Sequence, residues 1–357
     1  MKVVVLHCYS ADNAGDGLLV EETLHLLDAA FGDDVDVTLV ASHPETFTHL
    51  DAEVVDSSPS ILGYRRPYRR LLGSLDDADL VVAVGGGYLR AGYAVEAAKT
   101  LAVHGPQLWA ASRTSTPTVY LPQSVGPATR FIARSLIRRM SRIDSFFVRD
   151  DRSFDDYAAS GVRRASDLAV LGAASASHDT LAVDPVPVLS VRAVRGKVGP
   201  LVVDLAHQLG SFDGYVQSST AGNDDVAAMA SMGPRRTLTR EELLDSANQQ
   251  RRVVVAVRLH AALMALSAGH FVVHLAYERK GFGAFDDLGL ADYVHNVNKF
   301  EPRRVLRQVE RLLAEESERR AYSAHLSASA DEAGVRRSAL VEQLRALVPA
   351  YRTETRA

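Results

Sequence analysis

Between residues 251 and 285, R-R-V-V-V-A-V-R-L-H-A-A-L-M-A-L-S-A-G-H-F-V-V-H-L-A-Y-E-R-K-G-F-G-A-F, the hydrophobic period changes from that of a strand to that of a helix and back. The β-branched run Val253 to Val257 predicts a strand. Leu259, Ala262, Leu263 and Leu266 then recur on one helical face, and Phe271 to Tyr277 returns to strand-type residues. Gly269 marks the helix end, and a crossover of this length joins parallel strands. Arg258 and His260 therefore leave the carboxyl end of one strand, and Lys280 that of the next. In open α/β sheets this edge binds ligands, and helix amino termini there favour anions.

The same alternation runs through the rest of the chain. Val3 to Tyr9 reads as a strand, S-A-D-N-A-G-D-G at 10 to 17 as a turn, and Leu18 to Leu27 as a helix. Asp12, Asn13 and Asp16 in that turn suit either ligand contacts or a helix cap. The turn has neither G-x-G-x-x-G spacing nor a P-loop lysine. Val37 to Ala41 is the next strand, and Leu80 to Val84 is another, ending in Gly85-Gly86-Gly87 before Tyr88. The three glycines fit a close backbone approach, N–H groups offered to an anion, or a tight βα turn. Thr118 to Leu121 is a short strand running into P-Q-S-V-G-P at 122 to 127, which carries Gln123 and Ser124. Ser145 to Val148 is followed at once by Arg149-Asp150-Asp151, where Arg149 faces a ligand or pairs with its acidic neighbours. Polar or glycine-rich strand ends that recur at one edge point to a site there.

Leu168 to Leu171 closes the first half, and residues 173 to 187 form the expected linker. Val188 to Val194 restarts a strand, ending near Arg192 and Arg195. Leu201 to Leu209 reads as a helix with Leu201, Leu205 and Leu209 on one face, and Thr239 with Glu242 as a capping box for a helix to about Gln250. Tyr293 to Val297 is the last predicted strand, and residues 302 to 349 are terminal helices. The expected class is α/β, with Rossmann-like doubly wound domains at 1–175 and 185–357 facing across a cleft.

Composition narrows the partners. With 44 acidic and 40 basic side chains and a formal charge of −4, the chain gives no general reason to expect nucleic-acid binding. Its apolar runs reach only strand or short-helix length, and Met1-Lys2 leads directly into Val3 to Leu6 without a signal-peptide cleavage site. Cys8 is the single cysteine, so no intramolecular disulfide forms and a cytoplasmic location is expected. His104, His270, His274 and His295 lack metal-ligand spacing and read as structural, and no metal is expected. The basic runs Arg65 to Arg70 and Arg130 to Arg142 suit an anionic membrane surface or a solvated helix face.

Several segments together resemble the polysaccharide pyruvyl transferase family: N-A-G-D-G-L-L-V-E, G-G-G-Y-L, P-Q-S-V-G-P, F-V-R-D-D-R-S, V-R-L-H-A-A-L-M-A-L-S-A-G and L-A-Y-E-R-K-G-F, in order from about residue 13 to 295. The resemblance implies a glycosyltransferase-B-like pair of Rossmann-type domains. It implies phosphoenolpyruvate as co-substrate, with no cofactor, and as acceptor a sugar of a cell-surface glycan or its lipid-linked precursor; peripheral contact at the inner membrane surface is the expectation that the basic runs add. By position it assigns Arg149, His260 and Lys280 as catalytic, and together with the cations and glycines at the strand ends Arg258, Lys280, Arg149, Gly85 and Gly86 are the expected donor contacts. Asp12, Asn13, Asp16, Tyr88, Gln123 and Ser124 are the expected acceptor contacts. Where the family often has Asp-Pro before the lysine, this chain has Glu278-Arg279.

The donor's phosphate and carboxylate call for several cations to offset their desolvation, and the ketal chemistry needs an acid/base group, for which His260 is placed. The alternative to His260 is a satisfied structural histidine, to Arg258 a helix-end ion pair, and to Lys280 a solvated charge in a glycine-flanked loop. A glycosyltransferase using a nucleotide sugar and a non-catalytic glycan-binding relative are the competing functions, since fold alone separates none of these.

Overall fold

The computed structural model describes residues 1–32, 34–61, 63–176, 182–194, 196–218, 225–244 and 250–348. Parts of the expected linker, Arg195, and the predicted helix beyond residue 244 lie outside them. The chain forms two compact units: residues 1–11, 16–168 and 336 onward in the first, and residues 12–15 and 169–335 in the second.

The first unit contains β1 (Lys2–Cys8), β2 (Asp36–Ala41), β3 (Glu53–Asp56), β4 (Leu80–Ala83), β5 (Gly86–Ala91), β6 (Thr118–Ala128), β7 (Ser145–Val148) and β8 (Arg163–Arg164). They form a parallel sheet in the order β3-β2-β1-β4-β6-β7-β8, with β5 also pairing β6. Val3 to Leu6 and Leu80 to Ala83 are buried along their whole length, as strands covered by helices on both faces must be. The strand order reverses between β1 and β4.

Three local readings change here. The triglycine is not a βα turn, because the chain continues directly as β5. A Cβ on Gly85 would lie 2.7 Å from the carbonyl oxygen of Pro122, so the glycine serves a backbone approach. Thr118 to Leu121 is only the start of β6, which runs on through Pro122 and Pro127 to Ala128. The turn at residues 10–17 is shorter than expected, because its helix starts at Ala14 and runs to Phe31.

The second unit contains β9 (Val188–Ser190), β10 (Asp213–Tyr215), β11 (Thr237–Leu238), β12 (Val253–Ala256), β13 (Phe271–Ala276) and β14 (Val294–Asn296). All pairs are parallel, in the order β11-β10-β9-β12-β13-β14, so the reversal lies between β9 and β12. The predicted strand–helix–strand is present with Val253 opposite Phe271, and its helix spans Leu259–Ser267. β9 ends at Ser190, four residues short of the predicted Val194. The helix Pro200–Leu209 buries Val202, Leu205 and Ala206, while Leu201 and Leu209 are only partly covered, so its inner face is rotated from the predicted one. The capping box is formed: Thr239 N–H donates to Glu242 Oε2 at 2.8 Å and Glu242 N–H to Thr239 Oγ1 at 3.1 Å.

The last helix, Glu316–Leu347, contributes to both units. Its second part belongs with the first unit, unlike the expected 185–357 division. Arg337 pairs with Glu22 at 2.8 Å, and Arg345 Nε donates to the carbonyl of Ala30 at 2.8 Å. In its first part, the buried Tyr322 hydroxyl donates to the carbonyl of Val272 and accepts from the N–H of the same residue, each at 3.0 Å. Among the described residues, no helix is long and apolar enough to cross a membrane.

Tyr322→Phe leaves both Val272 groups without that hydroxyl, at about 1–3 kcal/mol for an orphaned buried group. Urea unfolding should show a lower midpoint for the second unit, and an unchanged midpoint would contradict this bonding.

Candidate functional site

In the second unit, the switch between β9 and β12 gathers side chains from several strand ends. The ends are joined first by backbone: Val257 N–H donates to the carbonyl of Ser190 at 3.0 Å. Asp225, fully buried, then spans them with its carboxylate. Oδ1 accepts from Ala193 N–H at 2.7 Å, and Oδ2 accepts from Arg258 Nε at 2.5 Å. Arg258 is the residue that caps the Leu259–Ser267 helix, so this pair fixes the guanidinium at a helix amino terminus. The helix-end ion pair weighed from the sequence is thus real, and its acidic partner is Asp225. Such an arrangement orients a cation and also neutralises part of its charge.

His260 follows in the first turn of that helix, half-buried. A Cβ on Gly15 would lie 2.3 Å from its Nδ1, so only glycine fits under the ring. The segment carrying Gly15 is fixed to the same unit, because Asn13 pairs antiparallel with Ser218 and the Ser218 carbonyl accepts from Asp225 N–H at 3.0 Å. Asp12 and Asn13 thus lie on the His260 side, whereas Asp16 is an acidic first-turn residue of the Ala14–Phe31 helix and falls in the first unit.

Lys280 is not in a loop. It occupies the first turn of a helix, Arg279–Asp287, with Nζ 3.2 Å from Glu278 Oε2. Arg192, beyond the end of β9, stacks its guanidinium on Tyr277 at 3.8 Å. The Tyr277 hydroxyl has its pKa raised by burial, with Arg192 opposing. Ser190 Oγ, Arg192 Nε and both amide atoms of Gln217 are buried with no hydrogen-bond partner among the described residues. Buried polar groups are ordinarily satisfied, so such groups beyond the carboxyl ends of the neighbouring strands β9 and β10 point to a place for a polar ligand. Asp225, Ser190 and Gln217 were not picked out from the sequence, and Arg192 was noted there only as a residue at a strand end.

Beneath this edge, the buried His274 bonds through Nδ1 to the Ala256 carbonyl at 2.8 Å, and its ring stacks on Phe285. Burial lowers its pKa to about 4, with the Ala256 bond opposing and Lys280 adding to the fall. Gly281 is required here, because a Cβ would lie 2.5 Å from His274 Nε2.

The first unit brings together another part of the expected set. Arg149 Nε donates to Ser124 Oγ at 3.1 Å, and Nη1 pairs with Asp167 Oδ2 at 2.5 Å. The acidic neighbours are not its partners: Asp150 caps the following helix through Ser153 N–H, and Asp151 pairs with Arg164. A Cβ on Gly87 would be 3.6 Å from the Arg149 guanidinium, and Gly86 pairs with Gln123 across β5 and β6. Tyr88 donates to the Val84 carbonyl at 3.0 Å, with the buried amide of Gln123 beside its hydroxyl. The ring of His7 stacks on Tyr88 at 4.5 Å between centroids, and its Nε2 lies 3.0 Å from the Tyr120 hydroxyl. His7 stands at the end of β1 with φ +68, a left-handed conformation that a histidine adopts only when its surroundings impose it. Its pKa is held well below the ordinary value by burial and by His104, whose own falls to about 3. Among the described residues, no group of three or more His, Cys, Asp or Glu is placed to hold a metal ion.

Two outcomes follow from this packing. Gly15→Ala should destabilise the chain, and His260→Ala combined with it should recover most of the loss, because the clash is between those two residues. Additive losses in a double-mutant cycle would contradict the contact. His274, neutral when folded, binds its proton more readily once unfolded, so stability falls as pH drops from about 6.5 toward 4. His274→Asn should make that slope shallower by up to about 1.4 kcal/mol per pH unit, and an unchanged slope in urea titrations would contradict the assignment.

The family described as Polysaccharide pyruvyl transferase matches residues 13–228, more than half of the chain. The matched span holds Tyr88, Gln123, Ser124, Arg149 and Asp225, and ends before Arg258, His260 and Lys280. A comparison with curated protein sequences found no match. Among solved structures, Alr3699/HepE of Anabaena in complex with UDP and glucose is 11% identical with a TM-score of 0.60, over 96% of this chain and 98% of that one. An α-glucosyltransferase in complex with UDP and a mismatched 13-mer DNA is 13% identical with a TM-score of 0.53, over 94% and 95%. At these identities the likeness establishes the fold, which is of the glycosyltransferase-B kind with a parallel sheet in each of two units. The chain belongs to the polysaccharide pyruvyl transferase family.

Proposed function

We propose that the chain transfers the enolpyruvyl group of phosphoenolpyruvate to two hydroxyls of a sugar in a cell-surface polysaccharide or its lipid-linked precursor, giving a pyruvate ketal and phosphate. The observation that carries this reading is the edge of the second unit's sheet, where Arg258, oriented by Asp225, and His260 open one helix, Arg192 stacks on Tyr277, and Ser190 Oγ and the Gln217 amide are buried with no hydrogen-bond partner among the described residues. A small, doubly acidic donor suits that edge. Arg258, oriented by Asp225, presents a planar guanidinium to a carboxylate or phosphate at a helix amino terminus, where the dipole also favours an anion.

In the proposed reaction a proton is delivered to the methylene carbon of the donor and one sugar hydroxyl attacks the neighbouring carbon, giving a phosphate-bearing adduct. The carbon–oxygen bond to phosphate then breaks, and the second hydroxyl closes the ring. One hydroxyl proton replaces the proton used on the methyl group, and the other leaves with phosphate, so the balance closes without an oxidant or reductant. His260 is the group proposed to carry the proton, and an anionic donor beside it favours the imidazolium. Lys280 and Arg149 are proposed to bind the donor, with Gly85 and Gly86. Asp12, Asn13, Asp16, Tyr88, Gln123 and Ser124 are proposed to contact the acceptor. The reaction needs phosphoenolpyruvate as co-substrate and no further cofactor. We place it in the cytoplasm, where the buried Cys8 stays reduced.

Incubation with phosphoenolpyruvate and candidate glycosides should release phosphate and add a pyruvate ketal to the sugar by mass spectrometry. His260→Ala should lower that rate at least about 100-fold without changing the melting temperature. A loss of only twofold, or turnover of a nucleotide sugar in place of phosphoenolpyruvate, would overturn the reading.

A further inference from the structure

On the first unit, the helices Gly105–Ala111 and Arg130–Met140 enclose two adjoining cavities that the proposed reaction does not use. One, of about 400 Å³, has apolar walls that include Leu89, Leu101, Leu108, Ile132 and Leu136. The other, of about 440 Å³, is lined by Arg113, Arg134, Arg138, Arg139 and Arg142. Trp109 and Phe131 border both.

The spacing along the second helix explains the division. Ile132, Leu136 and Met140 recur every four residues and form its covered side, with Leu136 and Met140 buried. Arg134 and Arg138 recur on a neighbouring line, and Arg142 follows just beyond the helix end. Phe131 is 82% exposed, Leu101 58% and Trp109 47%, and the Arg113 guanidinium stacks on the Trp109 ring at 4.4 Å. No acidic residue lines either cavity, and none of the five arginines has an ion pair among the described residues. Arg113, Arg138 and Arg142 lower the pKa of Arg139, second only to burial, as mutually repelling charges without a counter-ion do.

We propose that this face docks on a bilayer containing anionic lipid, with the arginines on lipid phosphates and Phe131, Trp109 and Leu101 at the boundary of headgroups and acyl chains. Uncompensated positive charge is complementary to an anionic leaflet, and exposed aromatic and aliphatic side chains at its margin add the apolar component that peripheral binding needs. The apolar cavity beside the arginines accepts a stretch of hydrocarbon, whereas a nucleic-acid base brings polar edges that its walls leave unpaired. The other basic run, in the helix Arg66–Gly73, is a different case: Arg65 beside it is paired with Asp56 at 2.9 Å, and Arg66 and Arg69 line neither cavity.

The test is flotation of the full chain with vesicles of phosphatidylcholine alone or mixed equally with phosphatidylglycerol, without substrate, so that its outcome is independent of the proposed reaction. Binding to the mixed vesicles and not to the neutral ones, weakening as salt is raised, is expected. Arg134→Ser with Arg138→Ser should lower partitioning about 25-fold, from about fivefold per arginine. Phe131→Ser, at an exposed position, should weaken it with no change in melting temperature, and Arg66→Ser with Arg69→Ser should bind like the parent. Absence of flotation, equal binding to neutral vesicles, or an undiminished Arg134/Arg138 variant overturns the proposal.

Discussion

The buried carboxylate of Asp225 is the interaction on which the second unit's binding edge depends. It takes the N–H of Ala193 with one oxygen and the guanidinium of Arg258 with the other, and so ties together the segments that leave β9 and β12 on either side of the reversal in strand order. A buried charge tied to only one of these partners would cost about 3–5 kcal/mol relative to the pair. The tie is thus both a structural cross-brace and the reason Arg258 stands in one orientation. His260 follows two residues later and inherits its position from it, with Gly15 closing the other side of the ring.

The first unit repeats the device with different residues. Arg149 is held between Asp167 and Ser124 near the glycines that open β5, and the strained His7 packs beneath Tyr88 at the end of β1. In both units an arginine is fixed by a nearly buried carboxylate that lies far away in sequence, 33 residues for Arg258 and 18 for Arg149. The cations that the chemistry calls for are preorganised by these partners, which limits the entropy lost when a ligand is gripped.

The sequence made the strand–helix–strand around Arg258 legible because its period changes twice, with β-branched runs on both sides of an apolar helix. The parallel sheets followed from the same alternation. Other features were hidden by tertiary contacts that override local preference. Gly15 and Gly17 argue against a helix starting at Ala14, yet His260 leaves no room for a side chain at position 15, and Ala11 crowds position 17, where a Cβ would lie 3.2 Å from its Cα. Pro122 and Pro127 argue against a long strand, and β6 nevertheless runs through both beside β5. Asp225 carried no local signal, since its role is set by partners that only the fold brings near. The candidate residues Arg258 and His260 were therefore readable from the motif and strand end, while the carboxylate that positions them was not.

Calorimetric titration of phosphoenolpyruvate into the parent chain and into Asp225→Asn, with UDP as competitor, tests the account most directly. Saturable binding to the parent, unaffected by UDP and weakened about tenfold or more in the variant, is the predicted result. Equal affinity for both proteins, or a site that takes UDP and not phosphoenolpyruvate, would contradict it.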